Sequence, residues 1–487
     1  MSQEIRNLEP KPLWNKFADL NAVPRPSKKE ERVIEFMKNF GTSLGLETFE
    51  DEIRNVIIRK PATPGMENRK PIVLQGHLDM VHQKNNDTVF DFETQGIEMY
   101  VDGDWVRAKG TTLGADNGLG VAAIMAVLES TDIPHPAIEA LFTIDEETGM
   151  TGALNLQGGI LQGQILLNLD TEEDDEIDIG CAGGIDVTAT AEYDEEDTPE
   201  GSVGYSITVK GLQGGHSGMD IHKGLGNANK IMNRLLFDGF DNFGLQIASI
   251  AGGSLRNAIP RESVAKVIIA AVYDEAFVFD MQQIVNEIKA EFKTTEPNLE
   301  IVFEKLTEVP AKVMPSIAQF YFVRSMYTAH NGVYRMSADF DNLVETSNNI
   351  AKVIVGEGQL TVQCLTRSSV ESSKMDLANA LRSAFELMGC EVEFSGAYPG
   401  WTPNPKSEIL DVLVGIYEKQ NNAKPNVVAC HAGLECGILG TNYPEMDMIS
   451  FGPTIHGAHS PDERASISSS QKFWKFFLEI LASIPAK

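Results

Sequence analysis

The chain has 487 residues, 42% of them hydrophobic, which is enough for a large core and more than one ordinary domain. Forty Lys and Arg against 70 Asp and Glu give a formal net charge of −30, which excludes a surface built for a nucleic-acid backbone or an anionic membrane. Five cysteines with no CxxC pair read as reduced thiols; with no apolar leader in MSQEIRNLEPKPLW and no apolar run near the ~20 residues of a membrane span, a cytoplasmic protein is expected.

In chain order, Ile72, Val73 and Leu74, bounded by Pro71 and Gly76, read as a short buried strand delivering His77 to its carboxyl end. Asp116 sits in the Gly-rich turn Gly114 to Gly118, ahead of a helix-like stretch Val121 to Leu128. An Asp there can cap the helix and also turn toward a cation. The run Ala140 to Ile144 leads into Asp145, Glu146 and Glu147, and Ile165 to Leu169 leads into Asp170. Open α/β sheets bind ligands beyond the carboxyl ends of their strands, so three strands ending in metal-binding chemistry point to one crevice. The acidic runs Glu172 to Glu176 and Glu192 to Asp197 read as solvated loops.

After Cys181 such residues do not recur as a set until His459, so about 200 residues read as an insertion that leaves the metal-binding domain and returns to it. The expected exit is near Gly183 to Asp186 and the re-entry near the turn-rich Gly396 to Gly400. That gives a catalytic domain of residues 1–185 and 397–487 and an inserted domain of residues 186–396. Strand-like runs at Tyr205 to Val209, Val264 to Val272 and Gln359 to Arg367 alternate with helical stretches such as Phe279 to Phe292, as in an α/β lid. The expected fold class is α/β, with a mixed, mostly parallel sheet flanked by helices and an inserted α/β lid domain.

Each acid or histidine has a plainer role when taken alone: a helix cap, a polar loop residue, a solvated turn. Together at strand ends they favour cations, because several carboxylates buried near one another are costly unless neutralised. Imidazole and carboxylate ligands suit Zn, and carboxylate-rich sites also accept Mn or Co. Two such ions about 3.5–4 Å apart can hold a hydroxide and polarise the carbonyl it attacks. One acid is then left for proton work.

Within the insertion, His216 lies in the Gly-rich sequence Gly214 to Gly218, where by itself it reads as a turn residue. Arg367 is the candidate grip on a substrate carboxylate, since a guanidinium fork matches two carboxylate oxygens; its alternative is a surface Arg on a strand. Asn257 in RNAIP is a candidate substrate contact, and Glu435 in HAGLECG a candidate receiver for a free amine. His431 and His222 read as pocket residues or satisfied polar groups and stay outside the metal set.

The chain resembles the M20 metallopeptidases, and among them the bacterial dipeptidases, nearly end to end. The matching stretches are RKPATPGMENRKPIVLQGHLDMV from Arg59, KGTTLGADNGLG from Lys109, CAGGID from Cys181, KGLQGGHSG from Lys210 and GLGNAN from Gly224. They continue with RNAIPRE from Arg256, GAYPGW from Gly396, HAGLECG from His431 and YPEMDMISFGPTIHGAHSPDE from Tyr443. The resemblance implies two divalent metal ions, with His77 and Asp170 as terminal ligands of one, Glu147 and His459 of the other, and Asp116 bridging. It makes Asp79 the acceptor that orients the His77 imidazole, Glu146 the general base, and His216 a donor to the oxyanion, often supplied by the partner subunit. A homodimer is therefore expected. His82 and His456 depart from the family pattern; either lines the pocket or adds a metal contact, and His459, which carries the HSPDE match, ranks above His456.

The implied activity is hydrolysis of unblocked dipeptides, Xaa-His substrates included. Two alternatives stand beside it: an N-acyl amino acid deacylase of the same fold, and a catalytically silent metal-dependent peptide-binding protein. Glu146 argues against the second, which has no chemical need for a spare acid.

Overall fold

In the computed structural model, which describes residues 3–487 apart from residues 86, 341, 405 and 432, the apolar runs form the middle of an eight-stranded sheet. In spatial order its strands are Glu47–Glu50, Val56–Lys60, Ile138–Thr143, Ile72–His77, Ile165–Asn168, Asp447–Ser450, Glu176–Cys181 and Asn426–Cys430. The four strands from Ile138–Thr143 to Asp447–Ser450 pair in parallel. Pairing turns antiparallel at Val56–Lys60 on one side and Glu176–Cys181 on the other. Every residue of Ile72–His77, Ile138–Thr143 and Ile165–Asn168 is buried, which is why these segments are apolar without alternation: a parallel strand is covered on both faces. The register sets His77 beside Thr143 and Gln75 beside Asn168, so His77, Asp145 and Asp170 leave the sheet along one edge.

Helix Ala115–Glu129, buried almost all round, packs on strand Ile72–His77 and on helix Lys11–Leu20. Gly76 permits this approach, since a Cβ there would lie 2.3 Å from Oδ1 of Asn117. Helix Ile467–Ser483 begins at Ser466, whose hydroxyl oxygen accepts the Ser469 N–H at 3.2 Å, and buries Phe473, Phe476 and Phe477 around Phe451. A four-stranded antiparallel sheet, Ile455–His456, Arg464–Ser466, Trp105–Ala108 and Met99–Asp102, holds the loop of residues 457–463 that carries His459.

These elements belong to the first of two compact units, formed by Met1–Gly180, Pro403–Ala429 and Leu434–Lys487. The second comprises Cys181–Thr402 and Cys430–Gly433. Its nine-stranded sheet runs Glu300–Lys305, Ser202–Lys210, Ser263–Ala270, Gln246–Gly252, Val344–Gly356, Gln359–Ser368, Gly183–Glu192 and Glu391–Tyr398, with Gly332–Met336 on Val344–Gly356. All of these pairs are antiparallel. Burial alternates from Ser263 to Val267, and helices Ala228–Phe243, Asp274–Glu291, Ser316–Thr328 and Glu371–Glu386 share one core with the sheet, including Val187, Val209, Leu235, Phe277, Val362 and Phe385.

Two local expectations shift. Helix Asp274–Glu291 begins earlier than Phe279, with Asp274 and Glu275 in its first turn, where acids suit the positive end of the helix dipole. The run Glu172 to Glu176 is not a solvated loop: all of it except Asp175 is at least half-buried, with Asp174 held by Lys472 Nζ at 2.6 Å and its N–H bonded to the Thr454 hydroxyl at 3.3 Å. No helix among the described residues is long and apolar enough to cross a membrane.

Candidate metal centre

His77 closes its strand at 1% exposure, with Nε2 3.1 Å from Oδ1 of Asp116 and 3.6 Å from Oδ1 of Asp170. The other oxygen of Asp116, Oδ2, lies 3.2 Å from Nε2 of His459, which in turn lies 2.9 Å from Oε2 of Glu147. One carboxylate thus faces two imidazoles with different oxygens. The donor atoms of His77, Asp116 and Asp170 fall within 4.8 Å of one another, and so do those of Asp116, Glu147 and His459. A third group, His77, Glu146 and Glu147, sets Glu146 beside them.

Local structure explains how each side chain arrives. Asp116 does not cap its helix. Gly114 holds the N-cap position in the left-handed region, and Asp116 itself is extended (φ −77°, ψ 113°), which turns its carboxylate to the histidines. Asp145 adopts φ 51° and its carboxylate accepts the hydroxyls of Thr148 and Thr151, closing the tight turn that presents Glu146 and Glu147. Asp79 lies 3.4 Å from Nδ1 of His77 and accepts the backbone N–H groups of Glu146 at 3.0 Å and Glu147 at 3.3 Å.

The electrostatics are those of a cation site. Burial pushes the carboxyls of Asp170 up to about 6, Glu172 to about 8 and Glu435 to about 7, and raises Glu146 well above the usual range. Hydrogen bonds to Asp116 and Glu147 lift His459 to about 11, and although burial alone would lower His77, Asp170, Asp116 and Asp79 raise it well above an ordinary imidazole. Asp116 runs the other way: its two histidine partners outweigh burial and hold it low. Oε1 of Glu147 is buried with no hydrogen-bond partner. Two imidazoles, several crowded carboxylates and an orphaned carboxylate oxygen fit divalent ions, which would neutralise the acids and take up the unpaired oxygen.

Behind the candidate ligands lies a buried polar chain that sequence reasoning missed. Thr143 and Gln75 donate to Oε2 of Glu435, Asn168 donates to Gln75, Ser450 to Asn168, and Thr171 lies 2.8 Å from Ser450 and 2.7 Å from Asp178, to which it donates. Gln75 and Asn168 each stand two residues before a candidate ligand, a signal that period-2 alternation could have supplied. Glu435, read as a receiver for a free amine, is 1% exposed; its Oε2 joins this chain, while its Oε1 is buried without a hydrogen-bond partner. His456 stands apart from the ligands, against the Trp105 ring with its Nε2 3.2 Å from Glu173, and His82 packs edge-on to Phe92.

The second unit gathers the remaining candidates. Residues Gly215–His216 pair with Ala258–Ile259, and the Asn257 carbonyl accepts the Ser217 N–H at 2.8 Å, so RNAIP braces the GGHSG turn. Nδ1 of His216 accepts the N–H groups of Gly218 and Met219 at 3.2 and 3.0 Å. Burial and then Arg367 lower its pKa, so the neutral ring carries its proton on Nε2 as a donor. Arg367 is no surface residue: it is 4% exposed, donates Nη1 to the Tyr398 hydroxyl at 2.8 Å and leaves Nε buried without a partner. His431 is buried with Nε2 2.8 Å from the Ser347 hydroxyl, whereas His222 is exposed.

Residues 73–483 match the family model for peptidase family M20/M25/M40. The chain belongs to this family. It is 44% identical over 488 residues to the cytosol non-specific dipeptidase of Escherichia coli (strain K12), covering 99% of this chain and 100% of that protein. The crystal structure of aminoacylhistidine dipeptidase from Vibrio alginolyticus superposes with a TM-score of 0.95 at 45% identity, over 100% of this chain and 99% of that one. Aminopeptidase PepT from Bacillus cereus ATCC 10987 shares the fold at a TM-score of 0.57 and 16% identity, over 98% of this chain and 99% of that one.

Proposed function

We propose that this chain is a metal-dependent dipeptidase that hydrolyses unblocked dipeptides, Xaa-His among them. The observation that carries the reading is the Asp116 carboxylate, which shows one oxygen to His77 and the other to His459, with Glu146 held alongside as a spare acid. The likeness to a non-specific dipeptidase and to an aminoacylhistidine dipeptidase supports the substrate class.

His77 and Asp170 would hold one divalent ion, Glu147 and His459 the other, and Asp116 both. When bound, such a pair supplies Lewis acidity, polarising the scissile carbonyl and making a water acidic enough to attack near neutral pH. Asp79 orients the His77 ring, and the backbone bonds it accepts fix the turn bearing Glu146 and Glu147. Glu146, its carboxyl raised by burial, takes the proton of the attacking water and passes it to the departing amine nitrogen. His216 donates Nε2–H to the oxyanion, a role supported by the two backbone amides that occupy its Nδ1. Arg367, buried and under-paired, grips the substrate carboxylate, and Asn257 is a further substrate contact.

In finer detail we propose zinc as the metal, with Mn or Co as substitutes, a cytosolic setting and a homodimer. No disulfide is found among the described residues, which suits a reducing compartment. The inserted domain, residues 186–396, is proposed as the lid and dimerisation domain; it lies within the second compact unit. The test strips the protein of metal, reloads it separately with Zn, Mn or Co, and assays free and N-acylated dipeptides. Turnover of free dipeptides is expected; faster turnover of acylated ones would favour a deacylase, and none under any loading would favour a silent binder.

A further inference from the structure

Glu463 takes no part in the reaction as derived above, yet it is among the most heavily bonded acids in the first unit. It is 2% exposed. Its Oε2 accepts the N–H groups of Leu113 at 2.7 Å and Gly114 at 2.9 Å, and its Oε1 those of Ala115 at 2.7 Å and Asp116 at 3.3 Å. Four consecutive amides, of the turn that leads into helix Ala115–Glu129 and of its first two residues, converge on one side chain that comes from far along the chain.

On the opposite side of the same turn stands Arg25, also buried. It donates Nη2 to the Gly114 carbonyl and Nη1 to the carbonyls of Leu78 at 3.1 Å and Asp79 at 2.9 Å. Gly114 has φ 68°, and a Cβ there would lie 2.6 Å from Arg25 Nη2, so the turn is pressed between the two charged groups. Arg25 ties it to the segment after His77; Glu463 ties it to the loop of His459, four positions earlier in the sequence.

We infer that Glu463 is a positioning residue for the two-metal centre: by gathering the amides of residues 113–116 it holds Asp116 out of helical geometry, with Oδ1 toward His77 and Oδ2 toward His459. An acid is a costly choice for a cap beside Asp116, and Ser or Asn would satisfy a single amide in an ordinary helix start. A carboxylate alone offers two oxygens that each accept twice with no hydrogen of their own. The inference rests on the dinuclear reading of the site, because only a shared Asp116 needs both oxygens aimed.

The test compares the wild type with E463Q and E463D, so that failure of one variant to fold leaves the other. Glutamine matches the shape but sets an NH2 group against two backbone donors; aspartate keeps the charge but falls one methylene short. Each protein is stripped, titrated with Mn(II), and read by calorimetry and by the exchange-coupled signal in electron paramagnetic resonance. The expected result is weakening of Mn(II) binding by about 10–100-fold, the range seen when partners that orient ligands are lost, with loss of the coupled signal and an unaltered far-ultraviolet dichroism spectrum. A lower melting temperature of the metal-free variants with wild-type Mn(II) affinity and coupling would mean a structural cap only and would overturn the inference. A wild type that binds Mn(II) without any coupled signal would instead reject the dinuclear reading itself.

Discussion

Nδ1 of His77 lies 3.4 Å from Oδ1 of Asp79, and the same carboxylate accepts the backbone N–H groups of the two acids that follow Asp145. A single buried side chain thus stands beside the His77 ring and anchors the turn that presents Glu146 and Glu147. Asp79→Asn would put an NH2 group against one of these donors. Metal affinity is expected to fall about 10–100-fold, measured as metal per chain after equilibration with a buffered chelator. Full metal retention would show that Asp79 does not orient His77.

Glu146→Gln keeps the shape and removes the base. Turnover of a free dipeptide is expected to drop about 10²–10⁴-fold, with both metals retained, because proton transfer by a placed acid contributes that much. Loss of metal along with turnover would make Glu146 a ligand and not the base.

Asn168 stands at the middle of the buried polar chain, bonded to both Gln75 and Ser450. Asn168→Ala leaves the buried Gln75 carbonyl oxygen and Ser450 hydroxyl without these partners, at a cost of about 1–3 kcal/mol for a buried group left unpaired. The check is urea unfolding of the metal-free protein, and an unchanged midpoint would mean the chain adds nothing to stability.

Burial, and after it Arg367, His216 and His222, lower the His431 pKa to about 3 from its ordinary 6.5. The folded protein therefore keeps His431 neutral where the unfolded chain would protonate it. Its contribution to stability is complete above about 6.5 and is lost as the pH falls toward about 3. His431→Asn should flatten the fall in melting temperature across that window relative to wild type; parallel curves would show that His431 does not set the acid sensitivity.

How far the site could be read before folding depended on the range of the interactions. The strand ends at His77, Asp145 and Asp170 were legible because double burial makes parallel strands continuous apolar runs, and the acids stand where those runs stop. Glu172 was misread as solvated because a charge run carries no mark of what will pack over it. For Asp116 both a helix cap and a turn toward a cation are open to local pattern, because nothing near it announces that Glu463, from far along the chain, accepts its amide.

Residue type and local pattern supply the chemistry available: imidazoles and carboxylates at strand ends, and a Gly-rich turn able to bend around Asp116. The tertiary structure alone decided how that chemistry is aimed. Gln75, Thr143, Asn168 and Ser450 become one chain only when the sheet sets Ile72–His77 between Ile138–Thr143 and Ile165–Asn168, and Asp447–Ser450 beyond them. Glu463 reaches residues 113–116 only across that fold. The reason is physical: apolar patterning is written locally in the period of each element, whereas a buried hydrogen bond needs donor and acceptor within about 3 Å, and strand order is what brings such distant residues together.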